Sequence, residues 1–194
     1  MNKPALLIID MLQGFFISKN RLNKNKTKLI ENINELVDMF HRKNIPVIWV
    51  RQEYESDLSD APLYNQQNKK SVTIKGTDDC LVLPELHKIE KDIEVIKKRF
   101  SAFFKTDLNK ILKDLNIDEL VVCGVNTMTC VRVTAIDAYQ RDFSVVLAKD
   151  CVDSYDKKQH KNSLKYLSYS SIYRKYCRPF IKSWGRRFRW CDVL

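Results

Sequence analysis

The sequence predicts one three-layer α/β domain, with a mostly parallel central sheet and helices on both faces. Three observations predict it. Short apolar runs alternate with segments of helical periodicity, the pattern of strands joined by helical crossovers. The runs are apolar throughout rather than alternating, as strands buried on both faces are. The chain has 194 residues, which is the size of a single domain able to bury a substantial core.

The elements follow in order. Residues 5–10 (ALLIID) form an apolar run that ends in an acid and read as a buried strand. Over 27–40, Leu29, Ile30, Ile33, Leu36, Val37 and Phe40 recur at helical spacing. Residues 46–51 (PVIWVR) make the second strand, and 52–91 are polar and irregular, punctuated by Pro62, Gly76 and Pro84. Residues 93–97 (IEVIK) make the third strand. Thr106 or Asp107 caps a helix that carries Leu108, Ile111, Leu112 and Leu115. Residues 119–124 (ELVVCG) make the fourth strand, and Asn126 or Thr127 caps a helix reaching about residue 140. Residues 143–148 (FSVVLA) make the fifth strand, and a last helix covers about 156–167. Right-handed crossovers leave few ways to order such strands.

Composition narrows the class. Hydrophobic residues are 44% and charged residues 30% of the chain, which suits a soluble globular domain and excludes disorder as the main state. No apolar run approaches the roughly 18 residues of a membrane span, and the first residues lack a signal peptide's pattern. No membrane partner is expected. Six Cys (80, 123, 130, 151, 177 and 191) contain no CxxC pair, and fit a reduced, cytoplasmic setting. The three His (41, 87 and 160) are far apart in sequence and give a metal little support.

The net charge of +10 is uneven: +7 falls in residues 163–194 and +3 in the first 162. The body is nearly balanced, so the charge does not make the whole chain a nucleic-acid binder, and nucleic acid is not an expected partner. Residues 168–194 interleave Arg and Lys with Tyr, Phe and Trp, and eight of the twenty aromatics lie within 163–194. We therefore divide the chain into a domain over 1–167 and an atypical basic, aromatic segment over 168–194. That segment reads as a patch for an acidic partner, as a subunit-contact segment, or as the product of a shifted reading frame beyond about residue 167. The abrupt change of composition favours the last, and resequencing the coding DNA decides it.

In an open parallel sheet, ligands bind outside the carboxyl ends of the strands. Asp10 closes the first strand, Lys97 closes the third, and Cys130 follows the fourth in the first turn of its helix. All three fall on one rim. A thiol has a pKa near 8.5, and a helix N-terminus with a nearby cation lowers it. Asp10 can take the thiol proton as general base and return it to a leaving amine. Backbone N–H groups of the 126–130 turn can hold an oxyanion. This is the outline of acyl transfer through a thioester. Singly, each residue has an ordinary structural reading: a loop or cap Asp, a solvated edge-strand Lys, a core Cys. The case rests on their conjunction.

At these residues the sequence resembles the isochorismatase-like cysteine hydrolases, which include nicotinamidases and N-carbamoylsarcosine amidohydrolases. The matching pieces are ALLIIDML, VIKKRFSAFFKTDL, ELVVCGVNTMTCVRVTAIDA and FSVVLAKDCVDS, and the resemblance covers 4 to about 162. It implies an Asp–Lys–Cys triad of Asp10, Lys97 and Cys130. The Lys is 97 rather than 98, because strand alternation puts the two on opposite faces. It also implies a cis peptide between Val125 and Asn126, which turns the Asn126 N–H toward an oxyanion beside that of Cys130.

True isochorismatases lack the nucleophilic Cys and cleave a vinyl ether, so the resemblance with Cys130 present implies hydrolysis of an amide or other C–N bond. Nicotinamidases carry a metal triad, with a D-x-H arrangement after the second strand. Here that stretch reads VRQEYESDLSDAPLYNQQN and has no His; no metal and no cofactor are expected. Gln13-Gly14 stands where an Asn-Asp pair is usual, Lys105 where Gly is common, and Gly76-Thr77 keeps a usual turn. The expected function is a metal-independent cysteine hydrolase for a small amide. The alternatives are a nicotinamidase lacking its metal, and a catalytically inactive interaction module with a basic tail. Phe16, Tyr54 and Phe100 are candidate substrate walls between the rim and the 52–80 loop. The resemblance also implies a homo-oligomer, since relatives complete the pocket from a second subunit.

Overall fold

The computed structural model describes residues 3–17, 21–69 and 72–169, and the backbone of 174–176. Strands β1 (Pro4–Ile9), β2 (Val47–Gln52), β3 (Ile93–Lys97), β4 (Glu119–Gly124), β5 (Ser144–Val152) and β6 (Arg174–Tyr176) form one parallel sheet in the order β3-β2-β1-β4-β5-β6. Helices α1 (Arg21–Lys24), α2 (Lys26–Arg42), α3 (Leu63–Asn68), α4 (Leu108–Asp114), α5 (Arg132–Tyr139) and α6 (Lys157–Tyr169) connect them. The strand order runs outward from β1 through β2 to β3, then resumes at β4 on the other side. Right-handed crossovers therefore place the connections of the two halves on opposite faces, and the order reverses between β1 and β4.

The apolar runs are apolar because their strands are covered on both faces. Ala5 through Ile9 are all buried, as are Val47–Val50 and Leu120–Cys123. α2 lays Ile33, Leu36, Val37 and Phe40 into the same core; each such side chain contributes about 1.5–3 kcal/mol when fully buried. β1 has neighbours on both sides, with Ile9 in register with Val50 and with Gly124.

Three elements differ from the sequence expectation. β5 does not stop at Ala148 but continues to Val152, because a bulge between Val122 and Gly124 lets Val152 pair with Gly124. The 52–91 stretch is not wholly irregular: it holds α3 and a 3₁₀ turn at Asp78–Cys80. Backbone bonds pin it over the rim, with Tyr54 N–H on Thr73 O at 3.0 Å, Lys75 N–H on Tyr54 O at 2.8 Å and Gln13 N–H on Leu81 O at 2.9 Å. Finally, neither Asn126 nor Thr127 caps a helix with its side chain, as described below.

α6 continues through Tyr169, and β6 adds to β5 with Val146 in register with Arg174. The readings of the basic segment, including the frame shift, concern residues 168–194, of which 170–173, the side chains of 174–176 and 177–194 lie outside the described residues. Among the described residues, no helix is long and apolar enough to cross a membrane, and Cys80, Cys123, Cys130 and Cys151 are all buried.

Candidate active site

The reversal of strand order puts the ends of β1 and β4 side by side, and the site is built there. Asp10 follows β1 with a left-handed backbone (φ 52°), a conformation Asp tolerates better than most residues. Its N–H donates to Val50 O at 2.9 Å. Lys97 ends β3, two strands away, in register with Gln52 of β2. Its long side chain crosses the end of β2, and Nζ lies 2.7 Å from Asp10 Oδ2 with both side chains fully buried. Thus an edge-strand lysine is buried, while Lys98 points to the other face and pairs with Asp60 at 2.7 Å.

Cys130 is carried on a π-turn over Thr127–Val131 that leads into α5. In this wider turn the Val131 N–H, rather than that of Cys130, takes the Asn126 carbonyl (3.1 Å). Lys97 Nζ lies 3.6 Å from Cys130 Sγ and donates also to Arg99 O at 3.2 Å. One ammonium therefore touches both the carboxylate and the thiol. The Lys97 ammonium engages Oδ2, while Asp10 Oδ1 has no hydrogen-bond partner among the described residues and keeps its acceptor capacity. The Val125–Asn126 peptide is cis, and the Asn126 N–H has no backbone acceptor among the described residues.

The electrostatics correct one expectation. Cys130 is not activated at rest by its helix. Burial raises the thiol; Lys97 pulls it down, but Asp10 raises it again, and it is pushed up to about 12. The thiol is therefore neutral at pH 7. Burial alone would lower Lys97, yet the Asp10 charge and then Cys130 outweigh it and raise the ammonium above its ordinary value. Tyr54, at the same spot, is pushed up to about 12 by burial and stays a neutral hydroxyl donor.

The π-turn rests on a polar network that the sequence did not signal. Thr127 is fully buried; its N–H and hydroxyl both donate to Asp153 O, at 2.9 and 2.8 Å. The Asp153 carboxylate is paired with Arg21 and accepts from Asn25 at 2.8 Å. His160 Nδ1 is 3.0 Å from the Thr127 hydroxyl. That hydroxyl's proton is already given to Asp153 O, so Nδ1 carries the proton and donates.

Burial holds His160 below its ordinary value, and the Arg21 and Lys149 charges add to this. The unfolded chain returns it to about 6.5. As pH falls through that value the unfolded state binds the proton first, so stability that is complete above it declines toward the folded value. His160→Asn removes this titration. Between about pH 7.5 and about pH 5.5 the thermal midpoint of His160→Asn should fall less than that of the wild type; equal falls would contradict the assignment.

Above Cys130 opens a cavity of about 840 Å³ between the sheet rim and the 52–72 stretch, within the usual size of a small-molecule site. Tyr54 and Phe100 line it, with Tyr64, Phe104, Met128 and Tyr155. Phe16 does not: it is packed into the core, and its neighbour Phe15, on the 3₁₀ turn Gln13–Phe15, faces the cavity instead. The tight turn fixes which of the two rings faces inward. Gly14 abuts another loop, since a Cβ there would lie 2.9 Å from Asp79 Cβ. An Asp at 14 would collide with that loop.

A family model for the isochorismatase domain matches residues 4–174. The chain belongs to the isochorismatase family. Among isochorismatase relatives, an Arabidopsis thaliana protein named "Probable inactive nicotinamidase" is 35% identical over 150 residues, covering 72% of this chain and 74% of its own. An isochorismatase-like hydrolase from Alkaliphilus metalliredigens has a TM-score of 0.78 at 28% identity, covering 94% of this chain and 99% of its own. N-carbamoylsarcosine amidase from Thermoplasma acidophilum has a TM-score of 0.75 at 26% identity, covering 89% and 95%.

The stretch after β2 does not fit the metal triad of some isochorismatase-like enzymes. It offers only carboxylates, and each is engaged. Glu53 pairs with Arg51 at 3.2 Å, Glu55 with Lys75 at 3.0 Å and Asp60 with Lys98 at 2.7 Å, while Asp57 accepts the Ser59 N–H at 2.9 Å. Among the described residues no three His, Cys, Asp or Glu side chains gather as a ligand set.

Proposed function

We propose that this isochorismatase-family hydrolase cleaves a small amide, or another C–N bond, through a thioester on Cys130 and without a metal. The observation that carries the reading is one buried ammonium, Lys97, set 2.7 Å from a carboxylate and 3.6 Å from a thiol at the floor of a substrate-sized cavity.

The steps balance. Asp10 accepts the Sγ–H proton as Sγ bonds to the amide carbon, and the carbonyl electrons pass to oxygen. The N–H groups of Asn126 and Cys130 hold that oxyanion. Collapse breaks the C–N bond, and Asp10 returns its proton to the departing nitrogen, leaving the thioester. Water then gives a proton to Asp10 as its oxygen adds to the thioester carbon. The second collapse expels Sγ, which regains the proton from Asp10, and an acid leaves. Lys97 stays protonated throughout; it orients Asp10 and steadies the sulfur whenever it is anionic. A thiol at about 12 fits this sequence, because deprotonation accompanies attack instead of preceding it.

The test is ammonia release across small amides, carbamoyl compounds and nicotinamide, with and without a chelator. Chelator-resistant turnover is expected on at least one compound. Turnover of nicotinamide that the chelator abolishes would overturn metal independence. A folded protein with no turnover anywhere on the panel would overturn the hydrolase reading and favour an inactive relative.

A further inference from the structure

We infer that the cavity is built for an amide carrying a carboxylate away from its scissile bond, with Arg99 as the residue that selects it. The inference rests on the hydrolase reading above and adds the substrate's charge.

Among the described residues, Arg99 is the sole charged side chain lining the cavity. Its guanidinium makes two bonds, both from Nη1 and both to backbone carbonyls: Asp60 O at 2.8 Å and Lys98 O at 2.7 Å. Among the described residues it pairs with no carboxylate. The carboxylate of Asp60, whose backbone carbonyl Arg99 touches, is committed to Lys98 Nζ at 2.7 Å and to the Glu55 N–H at 3.0 Å. The Asp10 charge is taken by Lys97. Among the described residues, Arg99 thus brings a positive charge to a wall that is otherwise aromatic, aliphatic or neutral polar, with no partner on Nε or Nη2.

A guanidinium matches a carboxylate through two parallel donors, which an ammonium cannot do. The two carbonyl bonds hold the side chain in place before a ligand arrives, so little freedom is lost on binding. The largely apolar lining screens the charge less than an open surface would. Arg99 is also tied to the reacting groups, because its carbonyl accepts from Lys97 Nζ at 3.2 Å. Tyr54, Phe100 and Tyr155 leave room for a flat or apolar body between the amide and the acid.

Matched pairs test this: 3-carbamoylbenzoate against benzamide, and succinamate against butyramide. For the wild type, kcat/KM is expected to favour the carboxylate member by about 10-fold or more. Arg99→Gln should bring that ratio close to one, chiefly through KM, and Arg99→Lys should keep part of it. A wild type that prefers the neutral members would overturn the substrate class, and a preference that survives in Arg99→Gln would overturn the role of Arg99. Calorimetric binding of each pair to Cys130→Ala needs no turnover. A carboxylate preference there with no hydrolysis by the wild type would sink the hydrolase reading alone; no preference in binding would sink this one.

Discussion

Cys130→Ala is expected to lower amide turnover by about 10⁴-fold or more while leaving the fold intact. Removing a nucleophile that acts in concert with its base and oxyanion donors costs about as much as removing the whole set. The replacement deletes one sulfur from a side chain with 4% exposure, so the packing loss is a small part of total stability. Near-normal thermal unfolding with lost ammonia release separates chemistry from folding. Cys130→Ser is expected to be nearly as inactive, since a hydroxyl is a far weaker acid than a thiol in the same buried place. With the wild type, intact mass after rapid quenching should show the acyl adduct on residue 130. The neutral thiol also implies slow alkylation by iodoacetamide near pH 7, rising steadily as pH increases. Sluggish alkylation is therefore compatible with catalysis here. Undiminished turnover by Cys130→Ala would dismiss the thioester.

Much of this arrangement was legible in the sequence because it depends on topology. Residues 5–9 and 120–123 read as strands since burial on both faces forbids polar positions. Parallel strands then send residues 10, 97 and 130 to one rim whatever their distance along the chain. What could not be read was environment. The spacing of VNTMTC gives no hint of a π-turn, because its cause is the buried Thr127 held by Asp153 from the end of β5. A thiol at the start of a helix reads as acidic, and only the three-dimensional burial shows that desolvation wins. Arg99 stands beside Lys97 and Lys98 in sequence, and no local pattern displays that it pairs with no carboxylate among the described residues. Phe103 and Phe104 look alike in sequence, yet the first is 5% exposed and stacks on Phe143, while the second is 47% exposed at the cavity.

Gly124→Ala is expected to be the most damaging single-methyl change in the domain. Gly124 ends β4 at φ +103°, a region that L side chains rarely enter. That strain is the smaller penalty. A Cβ there would sit 2.0 Å from Ile9 O, 2.7 Å from Ile9 N and 2.8 Å from Ile9 C. All three are backbone atoms of β1, held on both sides by neighbouring strands, so no side chain can swing away to relieve the contact. The strands would have to part where the Val125 N–H donates to Ile9 O at 2.8 Å, and this moves Asp10 on one strand against Asn126 on the other. A cost of about 4 kcal/mol or more follows, which lowers the thermal midpoint by about 10 °C in a chain of this length. Any folded remainder should also lose activity. Gly76→Ala is the control. Gly76 has φ +83° but nothing within 4 Å of its would-be Cβ, so it carries the conformational penalty alone, about 1 kcal/mol. If the two variants unfold at similar temperatures, close contact between β1 and β4 is not what fixes the site. A wide gap between them would show that the domain's stability depends on the close approach of these two strands, which only glycine allows.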